Sequence, residues 1–192
     1  MNQLKDYHLN LNTLFNNQGS LAKKEPNHQN TSFSLVESYF PSEYLPNYGE
    51  ILKWNDTSFL FPERNKNNFD NLVLDNQIIK APSGNTKEIY ILGASNNGSF
   101  YDKVELHLNK EIVYSFELAL TDFIEKNTRF NDVTVLECPF VRNINHDLHQ
   151  YTASLYCHKE TLPSNIEFDE IKLGDNPFIH IFSITLRGDN YA

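Results

Sequence analysis

The sequence predicts an all-β protein, a two-sheet antiparallel β-sandwich of the jelly-roll kind. Three observations predict it. About ten short apolar or alternating segments are separated by turn residues. Aromatic residues make up 13% of the chain, with 14 Phe and 10 Tyr, and such side chains suit a pleated, half-buried surface. No stretch carries the 3.6-residue periodicity of a long amphipathic helix.

The stretch from Glu88 to Phe123 organises the rest. It reads as three successive strands, split by Ser95-Asn96-Asn97-Gly98 and by Asn109-Lys110. Val104, Leu106 and Leu108 alternate with Glu105, His107 and Asn109, so one face is buried and the other wet. Such a meander needs an opposing sheet from the flanking segments.

Before it, Leu9, Leu11 and Leu14-Phe15 suggest an edge strand ending at the turn Asn16-Gly19, followed by a loop through Lys23-Lys24-Glu25-Pro26. Ser32–Glu37 alternates and reads as a short strand. Pro41–Pro46 is turn-rich because each proline fixes φ. Ser58–Phe61, Asn71–Leu74 and Gln77–Ala81 are further short strands, and Arg64–Asn68 a solvated loop. After the meander, Leu118–Lys126 is the one stretch suited to a helical turn. Val133–Cys138, Tyr151–Cys157, Ile166–Leu173 and Phe178–Leu186 complete the strands. The last is apolar on both faces and reads as a central strand covered on both sides. No repeat or linker divides the chain, so residues 1–192 read as one domain with loose ends at 1–6 and 188–192.

With 40% hydrophobic residues the chain can bury a sizeable core. Its net charge of -9 argues against non-specific nucleic-acid binding and against an anionic membrane surface. Met1–Leu14 lacks the apolar core of a secretory signal, and no apolar run approaches the roughly 18 residues of a membrane span. The expected location is cytoplasmic. Cys138 and Cys157 read as buried free thiols, and the Asn-x-Ser/Thr triplets at Asn30, Asn55 and Asn97 as chance in an Asn-rich chain.

The order of motifs resembles the galactose-binding-like, carbohydrate-binding β-sandwich modules appended to bacterial glycosidases and some secreted proteases. The pieces that carry it are Leu14–Gly19, Tyr39–Leu45, Phe59-Leu-Phe-Pro62, Asp70-Asn-Leu-Val with Gln77-Ile-Ile, and Ile91–Gly98. Later come Leu120-Thr-Asp-Phe123, Arg142-Asn143, Leu155-Tyr156 leading to Leu162-Pro163, and Ile179–Leu186. Ser32–Glu37 contains no glycine where members of that group carry a Gly-rich segment. The resemblance implies a sandwich that recognises a glycan or glycosylated small molecule without catalysis.

Several residues are candidates for such a site. Arg142, with Asp122 or Glu37, offers a planar fork for a carboxylate or sugar hydroxyls, and Arg142 and Asp122 equally suit a structural ion pair. The resemblance implies that the group fills the positions of Arg142 and Asp122 similarly. Trp54 with Tyr39, Tyr44 and Tyr48 suits either an aromatic platform for a sugar ring or a small core under the N-terminal loops. His146 and His149, three apart, are metal candidates if His158 adds a third ligand, and otherwise belong to a polar loop. His107 and His180 read as structural.

No cofactor is predicted, although sandwich modules of this kind leave room for a structural Ca or other divalent ion. No Gly-x-Ser-x-Gly, phosphate-binding glycine loop or Cys-x-x-Cys motif occurs. The leading expectation is a non-catalytic carbohydrate-binding module. The competitors are a small-molecule biosynthetic enzyme (cyclase, lyase or isomerase) using Asp122, Arg142 or His146, and a structural or self-associating partner. The expected partners are a carbohydrate or other small molecule and, as a further option, a second copy in a homodimer.

Overall fold

A computed structural model of the chain describes residues 4–23, 32–64, 67–164 and 166–191. Residue Asn30 and most of the Lys23–Pro26 loop lie outside the described residues, as do 1–3, 65–66, 165 and 192. The strands are β1 (Lys5–His8), β2 (Ser20–Leu21), β3 (Ser38–Pro41), β4 (Ile51–Trp54), β5 (Thr57–Leu60), β6 (Leu72–Val73), β7 (Ile78–Lys80) and β8 (Asn85–Ser95). They continue as β9 (Phe100–Leu108), β10 (Glu111–Leu120), β11 (Val133–Cys138), β12 (Val141–Asn143), β13 (Asp147–Leu148), β14 (Ala153–Thr161), β15 (Glu170–Lys172) and β16 (Ile179–Asp189).

One layer is a six-stranded sheet in the order β1-β16-β8-β14-β11, with β6 also on β16; the other is β10-β9-β15-β7. A small sheet, β13-β12-β3-β2, and the β4–β5 hairpin accompany them. Among the described residues the strand pairings are antiparallel except β2 with β3, and an isolated parallel bridge joins Ser95 to Asp122. Ile89 and Ile91 of β8 and Ile184 and Leu186 of β16 join Val104 and Leu106 of β9, Leu118 of β10 and Ile171 of β15 in one buried cluster. Each such side chain stabilises the fold by about 1.5–3 kcal/mol. The chain is a β-sandwich, as the alternation predicts.

β16 is the central strand expected from its doubly apolar pattern. Ile179 to Leu186 are all buried, between β1 and β8 in the sheet. The β4–β5 hairpin lies across it, with the Thr185 hydroxyl donating to the Ser58 carbonyl at 2.7 Å. The chain ends are tied into the same sheet: Lys5 pairs with Gly188 and Asp6 with Arg187.

Four local expectations are corrected. The three-strand meander is two strands only. β9 and β10 pair through the two-residue turn Asn109-Lys110, both at positive φ. β8 belongs to the other sheet, and the Asn97-Gly98 turn carries the chain from one layer to the other. Leu118–Leu120 continues β10 rather than starting a helical turn, because its pairing with β9 runs to Leu120 opposite Phe100. Ser32–Glu37 is a turn, closed by the Glu37 amide donating to the Ser34 carbonyl at 3.1 Å, with Glu37 at φ 54°. The first strand is Lys5–His8; the Leu9 amide still donates to the Ile184 carbonyl of β16 at 3.0 Å, and Leu9, Leu11 and Phe15 lead on into the core. No helix among the described residues is long and apolar enough to cross a membrane.

Candidate functional site

The cleft with the most suitable lining opens at one end of the sandwich, where the two layers part. The start of β8, the end of β9, the segment before β15 and the residue after β16 meet there around about 580 Å³. Leu108, Ile166 and Phe168 supply the apolar lining, and Ser83, Asn85, Glu167, Asp169 and Asn190 the polar lining. The wall is set by a close approach. An added Cβ on Gly84 would stand 2.4 Å from the Tyr191 ring, so only glycine lets that ring lie against the chain. The Tyr191 hydroxyl is within hydrogen-bond reach of Thr86 at 3.1 Å.

The polar groups are held in place from outside the cleft. The side-chain amides of Asn85 and Asn190 both donate to the Asp189 carboxylate at 3.1 Å, and Lys87 donates to the Asn85 carbonyl oxygen at 2.9 Å. The Asp169 backbone is pinned on both sides: its amide donates to the His107 carbonyl at 2.9 Å, and its carbonyl accepts from Ala81 at 2.9 Å. The Asp169 Oδ2 accepts from the Asn109 amide at 3.4 Å, a long contact. Its Oδ1 is shielded from solvent and meets no hydrogen-bond donor among the described residues. A buried carboxylate oxygen without a donor costs about 1–3 kcal/mol or more.

Arg142 lies elsewhere, on β12, and is 3% exposed. Its Nε donates to Asp147 at 2.9 Å, its two terminal nitrogens grip Glu43 at 2.8 and 2.7 Å, and further bonds reach Leu21 O and Asp147 Oδ2. All five guanidinium donors are thus committed. The hydrogen bond from Arg142 holds the Asp147 carboxyl below its ordinary range. Burial pushes Glu43 upward, but its bonds to Arg142 outweigh that and leave it lowered. Arg142 ties the turn at Ser42–Tyr44 to β12, β13 and β2. The shallow depression of about 200 Å³ beside it, lined in part by Lys23 and His146, receives no hydrogen bond from it.

Asp122 does not pair with Arg142. Its carboxylate accepts from the Gly98 amide and from the Ile124 amide at 3.1 Å, while its own amide donates to Ser99 at 2.9 Å. It therefore clamps the turn that crosses between the layers, and burial raises its pKa. Glu37 is exposed and contributes its carbonyl to the Asn143 side chain at 3.2 Å. Trp54 is half-buried against Phe59, with ring centroids 6.4 Å apart. Tyr39 is fully buried, Tyr44 packs on Phe140 and Tyr48 on Phe61, so the four aromatics take separate neighbours instead of one platform.

His146 is exposed and His149 packs by Phe140. His158 lies on β14, stacked on Phe116 and accepting from the Ala119 amide at 3.4 Å. Among the described residues no three His, Cys, Asp or Glu side chains converge as a metal site requires. Of Asp122, Arg142 and His146, the last two both line the shallow depression beside β12, and Asp122 is not among its lining residues. Cys138 and Cys157 are free and buried, and burial pushes both thiols up to about 12.

A buried polar network connects segments far apart in the chain, and sequence reading missed it. The Asp70 carboxylate accepts from the Gly19 amide at 2.7 Å, from the Ser20 amide at 3.1 Å, from the Ser20 hydroxyl and from Asn71 Nδ2 at 3.0 Å. Burial raises the Asp70 pKa, and these donors oppose that rise. The Ser20 hydroxyl also meets Tyr48 at 2.8 Å, and Arg64 lies over the Tyr48 ring at 4.8 Å. Because Asn71 donates to Asp70, its Oδ1 must accept, so His180 Nδ1 carries the proton in their 2.9 Å bond. The other ring nitrogen then accepts from Asn96. The signal available in sequence was the adjacent pair Asp70-Asn71, polar residues heading an apolar run.

The model of the AziU2-like beta-sandwich domain matches residues 8–190, nearly the whole chain and every element that builds the cleft and the network. The chain belongs to the AziU2-like family. A search of curated proteins found no match. The galactose-binding-like resemblance is thus met at the level of an all-β sandwich, and the family shown is the AziU2-like one. Within this AziU2-like domain, Arg142 and Asp122 are tied into the scaffold. The end cleft, by contrast, is lined by both apolar and polar side chains.

Proposed function

We propose that this AziU2-like domain is a non-catalytic module that binds a small polyhydroxylated molecule, of the carbohydrate class, in the cleft between the ends of β8, β9 and β16. The observation that carries this reading is the cleft itself, where the apolar Leu108, Ile166 and Phe168 stand beside the polar Ser83, Asn85, Glu167, Asp169 and Asn190. Sugar hydroxyls suit such a polar lining, because each can both donate and accept. The apolar face of a sugar ring suits Leu108, Ile166 and Phe168. A volume of about 580 Å³ lies within the range of small-molecule sites.

The test is calorimetric titration of the full chain with a panel of neutral mono- and disaccharides, repeated on Ser83→Trp. Ser83 is exposed at the cleft, so an indole there fills the opening without disturbing the core. Binding by the native chain and a loss of about tenfold or more in Ser83→Trp is the expected result. Silence across the whole panel, or identical affinities for the two proteins, overturns the proposal.

A further inference from the structure

We infer that the ligand of the end cleft carries an ammonium group, as an amino sugar or a similar hydroxylated amine does; this rests on the reading of the cleft given above. Two carboxylate residues, Glu167 and Asp169, line the cleft, and among the described residues no Lys, Arg or His lines it. Of the cations around it, Lys80 interacts electrostatically with Asp169 but is ion-paired with Glu170, and Lys87 is hydrogen-bonded to the side-chain oxygen of Asn85. Lys80 thus comes with a carboxylate of its own, so Glu167, Asp169 and Glu170 outnumber the cations Lys80 and Lys87 at this end of the sandwich.

The hydrogen-bonding polarity points the same way. Asn85 and Asn190 each spend a donor on Asp189 and the Asn85 oxygen is taken by Lys87, so the charged acceptors of the lining are the carboxylates of Glu167 and Asp169. A neutral sugar satisfies acceptors through its hydroxyls. An ammonium does so with three N–H groups and also neutralises charge that a partly desolvated cleft screens poorly. A uronic acid or phosphate ester brings a like charge against Glu167 and Asp169 and is rejected.

The experiment titrates the full chain with matched sets, the neutral, 2-amino and uronic acid forms of glucose and of galactose, at low ionic strength. The amino form is expected to bind about tenfold tighter than the neutral one, and the uronic acid more weakly than either. Glu167→Gln and Asp169→Asn should each shrink the amino-to-neutral ratio about threefold or more. Glu167 is exposed, so its variant reports on charge even if Asp169→Asn loosens the segment before β15. Equal binding of the amino and neutral forms, or a uronic acid that binds best, overturns the charge inference while the carbohydrate reading stands. Ratios unchanged in both variants overturn the assignment to these carboxylates. If no form binds, the carbohydrate reading itself falls, and this inference with it.

Discussion

His180 sits at the end of a chain of constraints that begins at the Asp70 carboxylate. Each amide along the way has only one orientation that leaves no donor facing a donor. The imidazole is 1% exposed, with Asn71 on one nitrogen and Asn96 on the other, and the Phe33 ring lies 4.1 Å away. A second proton would have to sit on the nitrogen that accepts from Asn96, so burial holds the ring neutral and pushes its pKa down to about 3. In the unfolded chain a histidine titrates near 6.5. Between those two values the unfolded state binds a proton that the fold refuses, so stability is lost as pH falls from about 6.5 toward 3. His180→Gln removes this linkage while keeping an amide among amides. The variant should be less stable at pH 7 by about 1–3 kcal/mol. The stability difference between the two proteins should then shift in favour of the variant by about 2.5 kcal/mol between pH 7 and pH 4.5. Urea midpoints at a series of pH values measure it; a gap that stays constant would show that His180 is not held neutral.

β8 is the element on which both flanks of the main sheet depend. It pairs with β14 from Glu88 to Gly93 and with β16 from Asn85 to Ser95. Gly93 faces Tyr156 on one side and Ile181 on the other, where the pairing with β16 shifts register. A Cβ there would stand 2.2 Å from the His180 carbonyl oxygen and 3.0 Å from Leu120. The carbonyl is backbone in the neighbouring strand and cannot swing aside as a side-chain tip would. Glycine at this position is a packing requirement between strands, of the kind a glycine inside a strand often marks. Gly93→Ala should therefore destabilise the protein by about 1–3 kcal/mol, or more if the register shift is lost. Denaturant unfolding of the two proteins decides it, and equal midpoints would mean that β16 can retreat from β8 at no cost.

At the scale of the whole molecule, what the sequence made legible was whatever repeats locally. Val104, Leu106 and Leu108 declare β9, and the run from Ile179 to Leu186 declares a strand covered on both faces. What stayed hidden depends on residues far apart in the chain. Arg142 meets Glu43 across 99 positions and Ser20 meets Asp70 across 50, and nothing in either neighbourhood points to the other. The Ser32–Glu37 alternation misled because one residue at positive φ turns a strand pattern into a turn. The end cleft was invisible for the same reason, since its lining comes from four separate segments. That long-range character also bears on how the protein unfolds. β1 pairs with β16, so the first and last strands close the same sheet, and the β4–β5 hairpin is bonded to both through Ser58. We expect the chain to unfold as one unit. Trp54, the sole tryptophan, reports on the hairpin, while the buried thiols Cys138 and Cys157 report on β11 and β14. In urea, Trp54 fluorescence, thiol labelling and far-ultraviolet circular dichroism should trace one transition with one midpoint. A Trp54 transition that precedes thiol exposure would separate the hairpin from the sandwich and make the single cooperative unit untenable.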